Sequence, residues 1–203
     1  VISERQQLRT MIRQRRNALS PVAQQQAAQG LALQFTQHLA LFDTPQTDKL
    51  AMQHVAIYLT HEGEIDTAPL IAALQAAGKT LYLPVLHPFA PGFLIFQRYE
   101  PNTPMRQNRF GIAEPMLNCH EIKPVAELDS IFTPLVAFDL QGQRLGMGGG
   151  FYDRTLAQLP ANHRCAIIGL AHDCQLVDTV PNEPWDHPLS AILTPSRLYT
   201  FKR

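Results

Sequence analysis

The segment Gly142-Gln-Arg-Leu-Gly-Met-Gly-Gly-Gly-Phe-Tyr-Asp-Arg154 packs glycines at 146, 148, 149 and 150. Backbone entropy makes that density costly inside a helix or strand, so the segment reads as a loop. An apolar run, Ser130–Phe138, precedes it and is read as a strand leading directly into the loop. From Gly150 to Leu159 helical spacing resumes, with Phe151, Leu156 and Leu159 near one face. A glycine loop between strand and helix leaves no side chains in the way of a close ligand and permits positive φ. Its successive N–H groups, with the helix N-terminus behind them, can bind phosphate oxygens. The bland alternative is a tight turn that only lets strand and helix pack. The order of residues matches neither Walker A nor GxGxxG. Arg144 can add a planar guanidinium for phosphate, and Asp153 can face a metal bound to it.

The flanking sequence predicts an α/β fold. Glu4–Leu19 reads as a polar, arginine-rich helix with Leu8, Met11, Ile12 and Leu19 as its apolar contacts. Ser20-Pro21 supplies an N-cap and a first-turn proline for a second helix to about Leu41, followed by a loop over Asp43–Lys49. His54–Leu59 and Thr80–Pro84 are short apolar runs of the kind found in buried strands. Between them Asp66 or Thr67 can cap a helix through Leu70, Ile71, Leu74 and Ala77 that Gly78 closes. That is a βαβ unit, which favours parallel pairing. Phe93–Phe96, Cys165–Leu170 and Ser190–Leu193 supply further strands, whereas prolines at 101, 104, 115 and 124 interrupt the pattern between Glu100 and Leu128. The expectation is one three-layer αβα domain over 1–203 with a mostly parallel sheet, the helices of residues 1–41 packing on its core.

Several function classes are disfavoured. The 203 residues carry zero net charge, so bulk electrostatics predict neither a nucleic-acid nor a membrane partner. The exception is local, with Arg5, Arg9, Arg13, Arg15 and Arg16 opposed before position 20 only by Glu4. No stretch approaches the roughly 20 apolar residues of a membrane span, and the basic opening lacks an apolar h-region. Cys119, Cys165 and Cys174 are odd in number and unpaired in spacing, which points away from a disulfide framework or structural zinc and toward a reducing cytoplasm.

Taken together, these residues resemble the signature of the 5-formyltetrahydrofolate cyclo-ligases, whose members carry a run of the type R-L-G-x-G-x-G-[FY]-Y-D. The resemblance covers nearly the whole chain. It includes Arg5–Arg9, the Gly63–Thr67 loop, Gly111–Pro115, Thr133–Asp139 and Trp185-Asp186. It implies conversion of 5-formyltetrahydrofolate to 5,10-methenyltetrahydrofolate with ATP as co-substrate and Mg²⁺, releasing ADP and phosphate through a phosphorylated formyl group. On that resemblance ATP meets Arg5, Arg9, Arg144, Leu145, Gly146, Met147, Gly148, Gly149, Gly150, Phe151 and Tyr152. Folate meets Leu59, Glu64, Tyr152 and Trp185; Asp153 and Asp186 hold the metal; Arg144, Tyr152 and Asp153 are catalytic. A monomer is expected. The i,i+4 spacing of Arg5 and Arg9 puts both on one helix face, although a solvated basic face is the alternative. Glu64 sits between a strand's end and a helix, where open α/β sheets hold ligands, although it can also complement the helix dipole. Relatives often have basic residues where this chain has Met147 and Gly149, so its loop is poor in side-chain charge. His172 and Asp173 remain unassigned, because the implied chemistry needs no histidine base.

Two other readings stand beside this one. A phosphosugar isomerase or CoA-transferase relative would need Glu114 or Glu183 as its acid, base or thioester former. A nucleic-acid-binding regulator would use the arginine helix.

Overall fold

The computed structural model describes residues 3–40 and 52–201. The expected Asp43–Lys49 loop and the helix end at Leu41 lie outside those residues. Helix α1 (Glu4–Asn17) is capped by Ser3, whose hydroxyl accepts from the Gln6 N–H at 3.3 Å. Helix α2 (Pro21–Gln37) starts where Ser20 and Pro21 place it, Ser20 accepting from the Ala23 N–H at 3.2 Å, and it ends at Gln37. Strand β1 (His54–Ala56) is shorter than the apolar run that contains it, and is followed by α3 (Ala68–Ala76) and β2 (Thr80–Leu86). Thr67 holds the N-cap position of α3, but its hydroxyl donates to the Tyr58 carbonyl instead; the Asp66 carboxylate accepts from the Ala68 N–H. Gly78 leaves the helix at φ 73, the left-handed conformation that suits glycine.

Next come β3 (Leu94–Tyr99), the β4 (Met105–Gln107)–β5 (Ala113–Pro115) hairpin, β6 (Ile122–Lys123) and β7 (Ser130–Pro134). The run Ser130–Phe138 is therefore not one strand. It breaks after Pro134, and β8 (Ala137–Phe138) pairs antiparallel with β9 (Arg144–Leu145). The glycine loop follows β9. Asp139 fixes the turn of this hairpin, Oδ1 accepting from the Gln141 and Gln143 N–H groups and Oδ2 from that of Val180. Helix α4 (Phe151–Leu156) stops one turn before Leu159, and β10 (Ala166–Leu170), β11 (Ala191–Leu193) and β12 (Leu198–Thr200) complete the chain.

Eight strands form the main sheet in the order β12-β11-β10-β7-β1-β2-β3-β6. The five central strands from β11 to β2 run parallel, and antiparallel strands flank them on both edges. Alternation along each strand builds two cores. Val55, Leu81, Leu83, Phe132, Ile168 and Leu193 face α2 and α3 through Leu31, Phe35, Leu70 and Leu74. Ala56, Tyr82, Ile131, Ile167 and Ile192 face the opposite layer, which includes Leu156 of α4. This is one three-layer αβα domain. Helix α1 packs elsewhere, Ile12 joining Val136, Ala137, Leu145 and Val180 beside the β8–β9 hairpin; Met11, an expected contact, is 39 % exposed. That docking brings the arginine face of α1 to the glycine loop.

Candidate active site

Two chambers open beside the carboxyl ends of the parallel strands, where open α/β sheets hold ligands. The first, about 420 Å³, is floored by Leu83, Pro84, Leu86 and Pro134 from β2 and β7 and walled by Leu59, Glu64, Phe110 and Tyr152. The second, about 750 Å³, is bounded by Arg5 and Arg9 of α1, Arg154 of α4 and the segment Glu183–Pro188. Gly146, Gly150 and Asp153 line both. The partition between the chambers is thus glycine backbone and one carboxylate.

Polar contacts in the second chamber explain its shape. Arg5 donates to both oxygens of Asp186, at 2.5 and 3.0 Å, and to the Pro181 carbonyl at 3.1 Å. The bond to Asp186 raises the Arg5 pKa above its ordinary value. Burial alone would push the Asp186 carboxyl up, but the Arg5 pairing outweighs it and holds the group below the usual range. Arg9 donates from Nε to the Gly146 carbonyl at 2.8 Å, and burial beside Arg5 lowers its pKa. Gly148 and Gly150 have φ of 103° and 66°, backbone that L side chains rarely adopt, so the loop has no ordinary substitute at either position. Arg154 bridges the Gly149 and Gly92 carbonyls.

Arg144 is buried and pairs through Nη2 with Asp153 Oδ1; its Nε has no hydrogen-bond partner among the described residues. Burial lowers its pKa while Asp153 opposes the shift. Asp153 Oδ1 also accepts from the His187 N–H at 3.4 Å, and its Oδ2 takes part in no hydrogen bond among the described residues. Both oxygens of Asp186 are engaged, since the Glu183 N–H joins Arg5 there. Among the described residues no group of three or more His, Cys, Asp or Glu side chains converges on one point. Of the Asp153 and Asp186 oxygens, Asp153 Oδ2 is thus the one left open beside this chamber, where a cation sharing its shell with phosphate oxygens, the habit of Mg²⁺, would fit; the arginines suit the phosphate.

In the first chamber Glu64 is 8 % exposed and, among the described residues, its carboxylate accepts only from the His61 N–H, at 3.1 Å. Burial pushes its carboxyl up to about 7, against the pull of that N–H and of Arg16. Burial, reinforced by the charge of Glu64, also raises the Tyr152 phenol, which therefore stays protonated as a donor.

The structure brings Leu59, Glu64, Met147, Gly149, Phe151 and Tyr152 to the first chamber, and Arg5, Arg9, Gly148 and Asp186 to the second. Arg144 opens on the first. Leu145 lines neither, being fully buried against Ile12 and Val136. Trp185 lies in the second chamber with the arginines rather than beside Glu64 and Leu59. His172 is buried outside both chambers, its backbone N–H donating to Gln175. Glu114 is a hairpin clamp, accepting from Arg106, Asn108 and the Leu86 N–H, which removes it as a free acid or base. Sequence reading missed that hairpin with Phe110, which meets Phe151 edge-on at 5.7 Å, and missed Arg16, which is buried at the far end of α1. The Asn108–Gly111 turn residues were a legible signal for the hairpin; nothing distinguished Arg16 from its exposed neighbours.

These features define an α/β protein with two chambers that share a glycine-rich wall. A family model for the 5-formyltetrahydrofolate cyclo-ligases matches residues 1–195, and the chain belongs to that family. It is 50 % identical over 191 residues to the 5-formyltetrahydrofolate cyclo-ligase of Haemophilus influenzae, covering 94 % of this chain and 97 % of the relative. With the Escherichia coli cyclo-ligase it shares 48 % identity over 190 residues, 93 % of this chain and 99 % of the relative. The solution structure of Aquifex aeolicus 5,10-methenyltetrahydrofolate synthetase superposes with a TM-score of 0.80 at 26 % identity, covering 99 % of this chain and 94 % of the other.

Proposed function

We propose that this chain converts 5-formyltetrahydrofolate to 5,10-methenyltetrahydrofolate by an ATP-driven ring closure, with ADP and phosphate released. The observation that carries the reading is the partition: Gly146, Gly150 and Asp153 face an apolar chamber on one side and an arginine-lined chamber on the other. An apolar chamber with one buried carboxylate suits a pterin, whose ring N–H and amino groups donate to Glu64. The arginine chamber suits a triphosphate, held by Arg5 and Arg9 and by loop N–H groups. A formyl oxygen is a poor leaving group. Phosphorylation of that oxygen by the γ-phosphate makes it a good one; the neighbouring folate nitrogen then attacks the formyl carbon, loses its proton, and phosphate departs as the ring closes. The protein's part is alignment across a partition too thin to keep the two reacting atoms apart, and exclusion of water. Arg144 holds Asp153 in place at that partition. Mg²⁺, when bound, would be held by Asp153, and by Asp186 once Arg5 turns from it to phosphate, and would neutralise phosphate charge.

Among the described residues no helix is long and apolar enough to cross a membrane. Two arginines of the basic helix turn into the second chamber and two grip the Glu62 loop, which leaves little of the basic face for nucleic acid. The direct test is an assay with 5-formyltetrahydrofolate and Mg-ATP that follows methenyl absorbance and ADP together. Product that forms equally without ATP, or none from folded protein, refutes the reading.

A further inference from the structure

The loop that presents Glu64 is clamped from behind by the last turns of α1. Glu62 has φ 45, the one positive value for a non-glycine among the described residues, and Gly63 follows at φ 72. A non-glycine residue in that left-handed region persists only where its surroundings hold it. Arg13 pairs with the Glu62 carboxylate, and Arg16 Nη2 donates to the Glu62 carbonyl at 2.6 Å. Arg16 is 1 % exposed, and its Nε has no hydrogen-bond partner among the described residues. A guanidinium so buried is rare without an anionic partner. The carbonyl alone does not account for it, and Arg16 Nε would stand 3.8 Å from a Cβ added at Gly63, the residue just before the buried carboxylate of Glu64.

We propose that Arg16 is a positioning residue for the folate subsite: it holds the Glu62 carbonyl in its left-handed turn and lends Glu64 positive charge that favours the anionic form able to accept from a pterin. This rests on the reading of Glu64 as the folate acceptor. The other groups around Glu64 do not supply that charge. Tyr58 at the end of β1 and Tyr152 of α4 are phenols that burial keeps protonated, and Glu62 is itself acidic. Burial lowers the pKa of His172, after β10, and so favours its neutral form. His61 contributes its backbone N–H, Arg13 is neutralised by Glu62, and Arg144 is committed to Asp153.

The test compares kcat/KM for 5-formyltetrahydrofolate at saturating Mg-ATP, from about pH 6 to about pH 9, in the parent, Glu64→Gln, Arg16→Gln and Arg16→Lys. In the parent, activity rises through about pH 7 as Glu64 ionises. Arg16→Gln keeps a donor for the Glu62 carbonyl and drops the charge. Its midpoint moves up by about one pH unit, so kcat/KM is roughly fivefold lower at about pH 7 and recovers at the alkaline end. Arg16→Lys keeps the parent midpoint. A uniform loss in Arg16→Gln with an unmoved midpoint overturns the proposal. If Arg16→Gln does not fold, Arg16→Met, neutral and of similar length, decides: a raised midpoint upholds the charge role and an unmoved one overturns it. Glu64→Gln separates the two levels. A flattened profile there with an unmoved Arg16→Gln midpoint sinks only the role of Arg16, whereas an unchanged Glu64→Gln profile sinks the reading of Glu64 and this inference with it.

Discussion

Replacing Glu64 with glutamine should strengthen the fold and weaken folate binding at once. The side chain is 8 % exposed, and burial raises its carboxyl from an ordinary 4.5 to about 7. Across that window the folded chain binds more protons than the unfolded one, so stability falls as pH rises and levels off above about 7. The whole interval corresponds to on the order of 3 kcal/mol. Glutamine has nearly the same shape, can still accept from the His61 N–H, and carries no charge. At about pH 8 it should therefore recover that amount, which for 203 residues at roughly 2.1 cal/mol/K each raises Tm by on the order of 7 °C. At about pH 5.5 the native carboxyl is mostly protonated, and the advantage shrinks to roughly 1.4 kcal/mol. Meanwhile a carboxylate that accepts two pterin donors is replaced by an amide that accepts one and repels the other. Loss of a charge-assisted bond at about 1.5–3 kcal/mol weakens folate binding roughly tenfold to a hundredfold. Thermal unfolding at the two pH values, with equilibrium titration of 5-formyltetrahydrofolate, measures both. A Tm that drops at the higher pH, or a Tm difference independent of pH, refutes the reasoning.

Asp153→Asn strips charge from a carboxylate that Arg144 holds and should cost about 1.5–3 kcal/mol of stability. Turnover at saturating Mg-ATP should fall by more than folate affinity does, and unchanged turnover would remove Asp153 from the metal role. Arg5→Met should raise KM for ATP roughly tenfold to a hundredfold with a smaller change in KM for folate, because Arg5 lines only the second chamber. Equal KM values for ATP before and after would exclude Arg5 from phosphate binding. Gly63→Ala places a side chain at φ 72 with its Cβ 2.6 Å from Asn17 Oδ1, and should lose about 1–3 kcal/mol in denaturant unfolding. Adding Asn17→Gly should restore only the part due to the clash; parent-like stability in Gly63→Ala itself would contradict this account.

The sheet was legible because its central strands are short apolar runs, such as Cys165–Leu170, with a capped helix and a closing glycine between β1 and β2. The glycine loop and the Arg5–Arg9 face were legible because spacing alone aligns them. The break after Pro134 was not, since Leu135, Val136, Ala137 and Phe138 stay buried after the chain leaves the sheet and hydrophobicity does not register the bend. Arg16 was not, because an arginine three residues from Arg13 on a polar helix has the same local signature whether water or protein surrounds it. The placement of Trp185 depends on how the proline-rich segment Pro181–Pro188 folds back on α1, and no periodicity encodes that return.

The bonds of α1 reach far along the chain. Arg5 joins Asp186 across 181 residues, and Arg9 joins Gly146 across 137. Closures of that length are entropically late events, because the intervening chain must be ordered before the contact rewards it. A growing chain emerging from the ribosome would carry α1 without the second chamber until the segment Glu183–Pro188 had been made. On the proposed function, nucleotide binding would then await that segment, and ATP, by favouring the closed form, would act as a late folding ligand.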